Sequence, residues 1–138
     1  MSTPEERELP ELLARLSFEV IGRLTRLSAE EDMSLTQLRM LAILRDRQLR
    51  MAELAAALGT DRSSTSGLIG RAERRGLVVR EPAVGDGRGF TVALSAQGHA
   101  FAAEVEERTF ATLEPLLRDL PTADRDRLAA FLGRIVGT

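Results

Sequence analysis

Placed on a helix at about 100° per residue, Ser63, Ser66, Gly67, Gly70, Arg71 and Arg74 fall on one side, and Thr65, Leu68, Ile69 and Ala72 on the other. The first set is small and hydroxylated at one end and cationic at the other. Hydroxyls donate and accept hydrogen bonds, guanidinium groups grip phosphate or a guanine edge with two parallel bonds, and glycine lets a backbone come close to a surface. That chemistry suits a polyanion with readable edges, met by a helix entering the major groove with its N-terminus first. Arg62 and Ser64 extend the set at its start, and Asp86 and Arg88 add to it in a Gly-rich stretch further on. A plainer reading takes the glycines as marks of a weak surface helix, each costing about 1 kcal/mol. The elements around them decide between the two.

Charge supports the first reading. The chain has 138 residues and a formal net charge of −2, and all 19 of its basic residues are Arg. Between Thr36 and Phe90 ten Arg face six acids, a balance of +4, while the flanks together carry −6. Phosphate binding needs a local positive field rather than a positive total. The Arg-only usage extends to Arg7 and Arg134, far from the candidate face, so it carries no functional weight by itself.

Composition removes other classes. With no Cys there is no disulfide framework, thiolate metal site or Cys nucleophile. A single His99, no Tyr, and no carboxylate pair beside a nucleophile leave an enzyme little to work with. We expect no enzyme activity, no metal and no cofactor. No apolar run reaches the roughly 18–20 residues of a membrane span, and the start is acidic, so the expectation is a soluble cytoplasmic protein without a membrane partner.

The elements that must hold the candidate face follow from periodicity. Leu9, Leu12, Leu13, Leu16, Val20, Leu24 and Leu27 recur at helical spacing, predicting a long amphipathic first helix entered near Pro10. Ser34 and Gln37 have the spacing of a capping box before a second helix carrying Leu38, Leu41 and Leu44. Periodicity lapses around Gln48 to Arg50. A short third helix, Met51 to Leu58, can stop at Gly59, and Thr60 or Asp61 can cap a fourth running to Arg75. Leu77 to Arg80 and Phe90 to Leu94 then read as two strands of a hairpin with a charged tip. Ser95 restarts helix, and Thr122 is expected to cap a last one carrying Leu128, Phe131, Leu132, Ile135 and Val136.

Leu54-Ala55-Ala56-Ala57-Leu58-Gly59 followed by 61–68 has the organisation of a helix-turn-helix, with Ala55 small at the crossing and Gly59 in the turn. A helix-turn-helix followed at once by a β-ribbon is a winged helix. The expected fold is therefore mainly α with a small β-hairpin wing. It divides into an N-terminal dimerisation helix (1–34), a DNA-binding unit (35–95) and C-terminal dimerisation helices (96–138). Apolar terminal helices of this kind need more partner surface than a short winged unit supplies.

These residues resemble the MarR family of bacterial transcriptional regulators. The resemblance rests on Ser34-Leu35-Thr36-Gln37, Glu53-Leu54-Ala55, Asp61-Arg62-Ser63-Ser64-Thr65, Glu73-Arg74-Arg75-Gly76-Leu77-Val78, the Asp86-Gly87-Arg88 of the wing, and Val92 to Gly98. It implies a homodimer reading a palindromic operator in double-stranded DNA as a repressor, released by a small anionic or aromatic effector. Half-sites would lie about 10–10.5 bp apart. Arg15, Arg23 and Arg26 of the first helix are the candidates for holding a carboxylate effector. The chain departs from the family at Thr65 and Ala72, where larger apolar residues are usual, and at Gly67, where Arg or Lys is frequent. We therefore expect looser packing of the fourth helix and a larger share of DNA contact for Arg62, Arg71 and Arg88. Gly67 also leaves open an alternative, a winged-helix adaptor or anti-repressor that contacts protein rather than DNA.

Overall fold

The computed structural model describes residues 1–83, 85 and 89–138. Its order is α1 (Pro4–Glu30), α2 (Leu35–Leu44), β1 (Leu49–Arg50), α3 (Met51–Leu58), α4 (Arg62–Arg74), β2 (Val78–Pro82), β3 (Phe90–Leu94), α5 (Ala96–Leu113), a 3-10 turn (Glu114–Leu117) and α6 (Thr122–Val136). This is the expected winged helix-turn-helix with terminal helices.

Where elements begin and end follows local chemistry. Thr3 caps α1 in a reciprocal box with Glu6, and Pro4 occupies the first turn, where its missing N–H costs nothing. The helix thus starts well before Pro10, which lies inside it and is exposed, so the carbonyl its missing N–H leaves unpaired can turn to water. Ser34 and Gln37 form the capping box of α2, and Ser95 caps α5 through the Gly98 N–H at 2.9 Å. Pro121, not Thr122, is the cap residue of α6, and Thr122 is its first helical residue.

The sheet has one strand more than periodicity indicated. Leu49–Arg50 pairs antiparallel with β3, Leu49 opposite Val92 and Arg50 opposite Thr91, and β3 pairs with β2 on its other side. Two residues are too few for an alternating pattern, which is why this strand is silent in the sequence. β2 also runs on through Pro82, opposite Phe90. Pro82 is tolerated because β2 is an edge strand.

The core lies in the middle of the chain. Met40, Leu44, Leu54, Ile69 and Val92 are essentially solvent-free, packed with Leu41, Leu49, Leu58, Leu68, Leu77 and Leu94. Met33 and Met40 are buried in this cluster and Met51 half-buried against it. The terminal helices contrast sharply. α6 buries no residue, and Leu9 (74%), Phe131 (53%) and Ile135 (68%) stand open to solvent. Among the described residues no helix is long and apolar enough to cross a membrane.

Candidate nucleic-acid interface

α3 ends where Gly59 turns left-handed, at φ 67°, with its N–H donating to Ala56 O at 3.3 Å. Thr60 N–H then donates to Ala55 O at 3.0 Å, and Asp61 caps α4 by accepting from Ser64 N–H at 2.7 Å. The Ser64 backbone bond, followed by the Ser64 hydroxyl and the Ser63 N–H, holds the Asp61 carboxyl below its ordinary pKa of 3.8. Fixing this turn fixes the angle at which α4 leaves it.

The buried residues of α4 are Thr65, Leu68, Ile69 and Ala72, the four that helical spacing assigns to one side. Thr65 faces the core. It is fully buried, and its hydroxyl donates to Asp61 O at 2.7 Å and lies 2.8 Å from the Thr60 hydroxyl. The smaller apolar volume is exchanged for satisfied hydrogen bonds that hold helix to turn.

On the other side Arg62, Ser63, Ser64, Ser66, Arg71 and Arg74 are exposed, with Gly67 and Gly70 half-exposed between them. Arg62, Arg71 and Arg74 form no ion pair among the described residues. Other cations of the +4 segment are engaged. Arg45 binds Glu106 and Asp46, which raise its already high pKa, the Asp46 hydrogen bond most of all. Arg80 pairs with Glu73 at 2.9 Å and stacks on Phe90 at 4.6 Å. Among the described residues of that segment, three of the arginines without an ion pair, Arg62, Arg71 and Arg74, thus share one helix face, while Arg39 and Arg47 lie exposed elsewhere.

The glycines shape that face. A Cβ built on Gly67 would lie 3.4 Å from Arg71 Nη1, and one on Gly70 equally far from Arg74 Nη1. Each arginine therefore lies back along the helix over the glycine four residues earlier, carrying its guanidinium toward the N-terminal end. Neither glycine has a positive φ, and neither has a clash within the chain that a side chain would create.

The base of the hairpin is tied to α5. Ser95 Oγ donates to Gly76 O at 2.5 Å, and Gly98 packs so closely that a Cβ there would run into the carbonyl oxygen of Leu77. The candidate contacts Asp86 and Arg88 lie outside the described residues.

The effector candidates divide between two hollows. Arg15 and Arg26 line one beside Leu12, Leu16, Phe18 and Gly22. Arg23 and Arg26 line another of about 290 Å³ between α1 and α5. There Arg23 Nη1 donates to Thr112 O at 3.4 Å, while its buried Nε makes no hydrogen bond. A third hollow, missed by sequence reading, holds about 210 Å³ between α2 and α5, with Leu38, Leu41, Ala102, Val105 and Phe110 on its walls and the Arg45–Glu106 pair at its edge. Its residues sit more than fifty positions apart, and nothing local marks them. His99 is exposed near the start of α5. Among the described residues no three His, Cys, Asp or Glu come together to hold a metal.

Comparison with known proteins agrees with this geometry. The model of the MarR family matches residues 31–89, the span from the end of α1 to the wing. No curated protein matches the sequence. Among solved structures, a MarR family transcriptional regulator from Silicibacter pomeroyi is 25% identical, with a TM-score of 0.80 over 98% of this chain and 93% of that one. Wild-type MarR from E. coli, in its apo form, is 20% identical, with a TM-score of 0.78 over 98% of each chain. CouR from Rhodococcus jostii RHA1, solved bound to p-coumaroyl-CoA, is 22% identical, with a TM-score of 0.76 over 97% and 95%. The segment 31–89 thus matches the MarR family model, and the whole length has the fold of solved MarR family transcriptional regulators.

Proposed function

We propose that the chain is a cytoplasmic repressor that reads a palindromic operator in double-stranded DNA as a homodimer. The observation that carries the reading is the outer face of α4, where Arg62, Arg71 and Arg74 stand without ion pairs beside small hydroxylated residues. Ser63, Ser64, Ser66 and the backbone at Gly67 and Gly70 approach base edges, Arg71 and Arg74 bind guanine or phosphate, and Asp86 and Arg88 serve the wing contact. Residues 35–95 form the reading unit, and 1–34 and 96–138 the dimer. Supporting the dimer is an apolar hollow of about 770 Å³ between the N-terminal half of α1 and α6, lined by Leu9, Leu12, Leu13, Leu16, Leu128, Phe131, Leu132 and Ile135. Leaving that much apolar surface in water is costly, and a second copy presenting the same helices covers it.

The adaptor alternative drew on Gly67 as a lost contact. Because Arg71 lies across that position, the face keeps its cation there, which favours DNA. Release by an effector rests on Arg23, whose buried Nε makes no hydrogen bond and faces Glu19 at 3.7 Å beside Arg26, so that a carboxylate ligand competes with Glu19 for it, and on CouR, which is solved bound to p-coumaroyl-CoA.

The test is selection from a pool of random duplexes by the purified chain, followed by sequencing. The reading expects enrichment of an inverted repeat with half-site centres about one helical turn apart. Recovery of no common sequence, with equal retention of all duplexes, would contradict it.

A further inference from the structure

The end of α1 is bound by two arginines that belong to other helices. α1 closes with Met33 N–H donating to Ser28 O at 2.9 Å and Asp32 N–H to Ala29 O at 3.1 Å, around Asp32 at φ 54°. This is the helix-stop geometry in which glycine normally takes the left-handed position. The last turn of α1 contains no basic residue to complement its carbonyl end. Arg75 supplies one from a distance. It follows α4 directly, its Nη1 donates to Glu31 O at 2.9 Å, and its guanidinium lies 5.6 Å from the ring centre of Phe101 on α5. Arg108 of α5 pairs with Glu30 and Glu31 on the same turn.

This arrangement ties the end of α4 to the α1–α5 pair, beside the packing of α1 and α5 on α2 and of α5 on β3 and the Ser95–Gly76 bond next to it. α4 packs on α3 and β2. Its direct polar tie to the α1–α5 pair runs through Arg75 at its C-terminal end. α4 is roughly 20 Å long at 1.5 Å per residue, so a 10° swing about that end moves its first turn about 3 Å. A displacement of that size takes a recognition helix out of register with base edges.

We propose that Arg75 is a positioning residue: it fixes the direction of α4 relative to the α1–α5 scaffold, and so fixes the half-site spacing that two copies can read. This rests on the DNA-reading dimer proposed above. Arg75 points back into the protein, so it sets geometry without neutralising phosphate. Its role is therefore separable from that of Arg71 and Arg74.

The chain has no Cys, so Ser63→Cys provides a single site for a spin label on the first turn of α4. Pulsed electron–electron distance measurement between the two labels of the dimer, without DNA, is made with Arg75 intact, with Arg75→Lys and with Arg75→Ala. In parallel, unlabelled proteins without the Cys substitution are titrated with the duplex chosen by selection and with one carrying a single extra central base pair. The expected result for Arg75→Ala is a distance distribution at least twice as wide. Discrimination between the duplexes should fall at least fivefold, while the salt dependence of binding stays unchanged. Arg75→Lys, which keeps one donor but not the flat stacking on Phe101, should lie between. A lower melting temperature with unchanged width and unchanged discrimination overturns the proposal, leaving Arg75 a stabilising contact only. A shallower salt slope overturns it in favour of a phosphate contact. A labelled protein with Arg75 intact that gives no dipolar signal overturns the dimer, and the proposal with it.

Discussion

Gly67 and Gly70 lower the stability of α4 without any need for them inside the chain, since both have helical φ and room for a methyl group. Gly67→Ala should therefore stabilise the protein by about 0.5–1 kcal/mol through helix propensity. It should also weaken binding to the selected duplex about tenfold, because the methyl group lies between backbone and DNA and lifts Arg71. Thermal melting and a binding titration on the same preparation check this, and higher stability with undiminished affinity would sink the contact assigned to Gly67. Asp61 yields a prediction in pH. Its folded pKa is lowered, chiefly by the Ser64 N–H bond, so its contribution is fully present above the unfolded value and is lost as pH falls through the folded one. Glu114, held down by the hydrogen bond from Arg125, behaves in the same direction. Asp61→Asn retains an acceptor but not the charge. Its melting temperature should lie below wild type at pH 7, and the gap should close as pH falls from the ordinary value of 3.8 through the lowered folded one. A constant offset through that range would show that charge plays no part in the cap.

At the scale of elements, the joint between wing and α5 is the least tolerant point. Gly98 is buried against the Leu77 carbonyl, a backbone atom that cannot rotate away. Gly98→Ala should destabilise by about 3 kcal/mol, the upper part of the range for overpacking, as read from urea unfolding. A loss under about 0.5 kcal/mol would mean that β2 and α5 separate more easily than this packing implies. The same joint shows what a sequence can and cannot reveal. Ser34, Gly59, Asp61 and Ser95 mark their helix ends locally, because a cap acts within three residues, and all four stand where spacing put them. The inward side of α4 was legible for the same reason, as four residues on one helical stripe. Pro10 misled because proline is read as a boundary, while Thr3 and Glu6 had already built the true start. β1 and the Arg75 tie to Glu31 depend on partners more than forty positions away, which no local pattern encodes.

For the whole molecule, the apolar residues left open on α1 and α6 are what a single copy cannot account for. Phe131→Asp places a charge in the middle of the hollow between them. It should convert the dimer to monomer in light scattering at micromolar concentration while leaving the winged-helix core folded, since α6 contributes no buried residue. A wild-type chain that is monomeric under the same conditions would remove the dimer from the account. The net charge of −2 conceals a basic middle and acidic flanks, and much of the uncommitted part of that middle lies on α4. The central claim is that this face neutralises phosphate. The most direct measurement is the slope of log K against log salt for the selected duplex, compared between wild type and the double variant Arg71→Ala/Arg74→Ala. With each phosphate contact contributing about 0.9 to the slope, the account predicts a steep wild-type dependence that flattens by about 1–2 in the variant. A wild-type slope near zero, or one that the double substitution leaves unchanged, would contradict it.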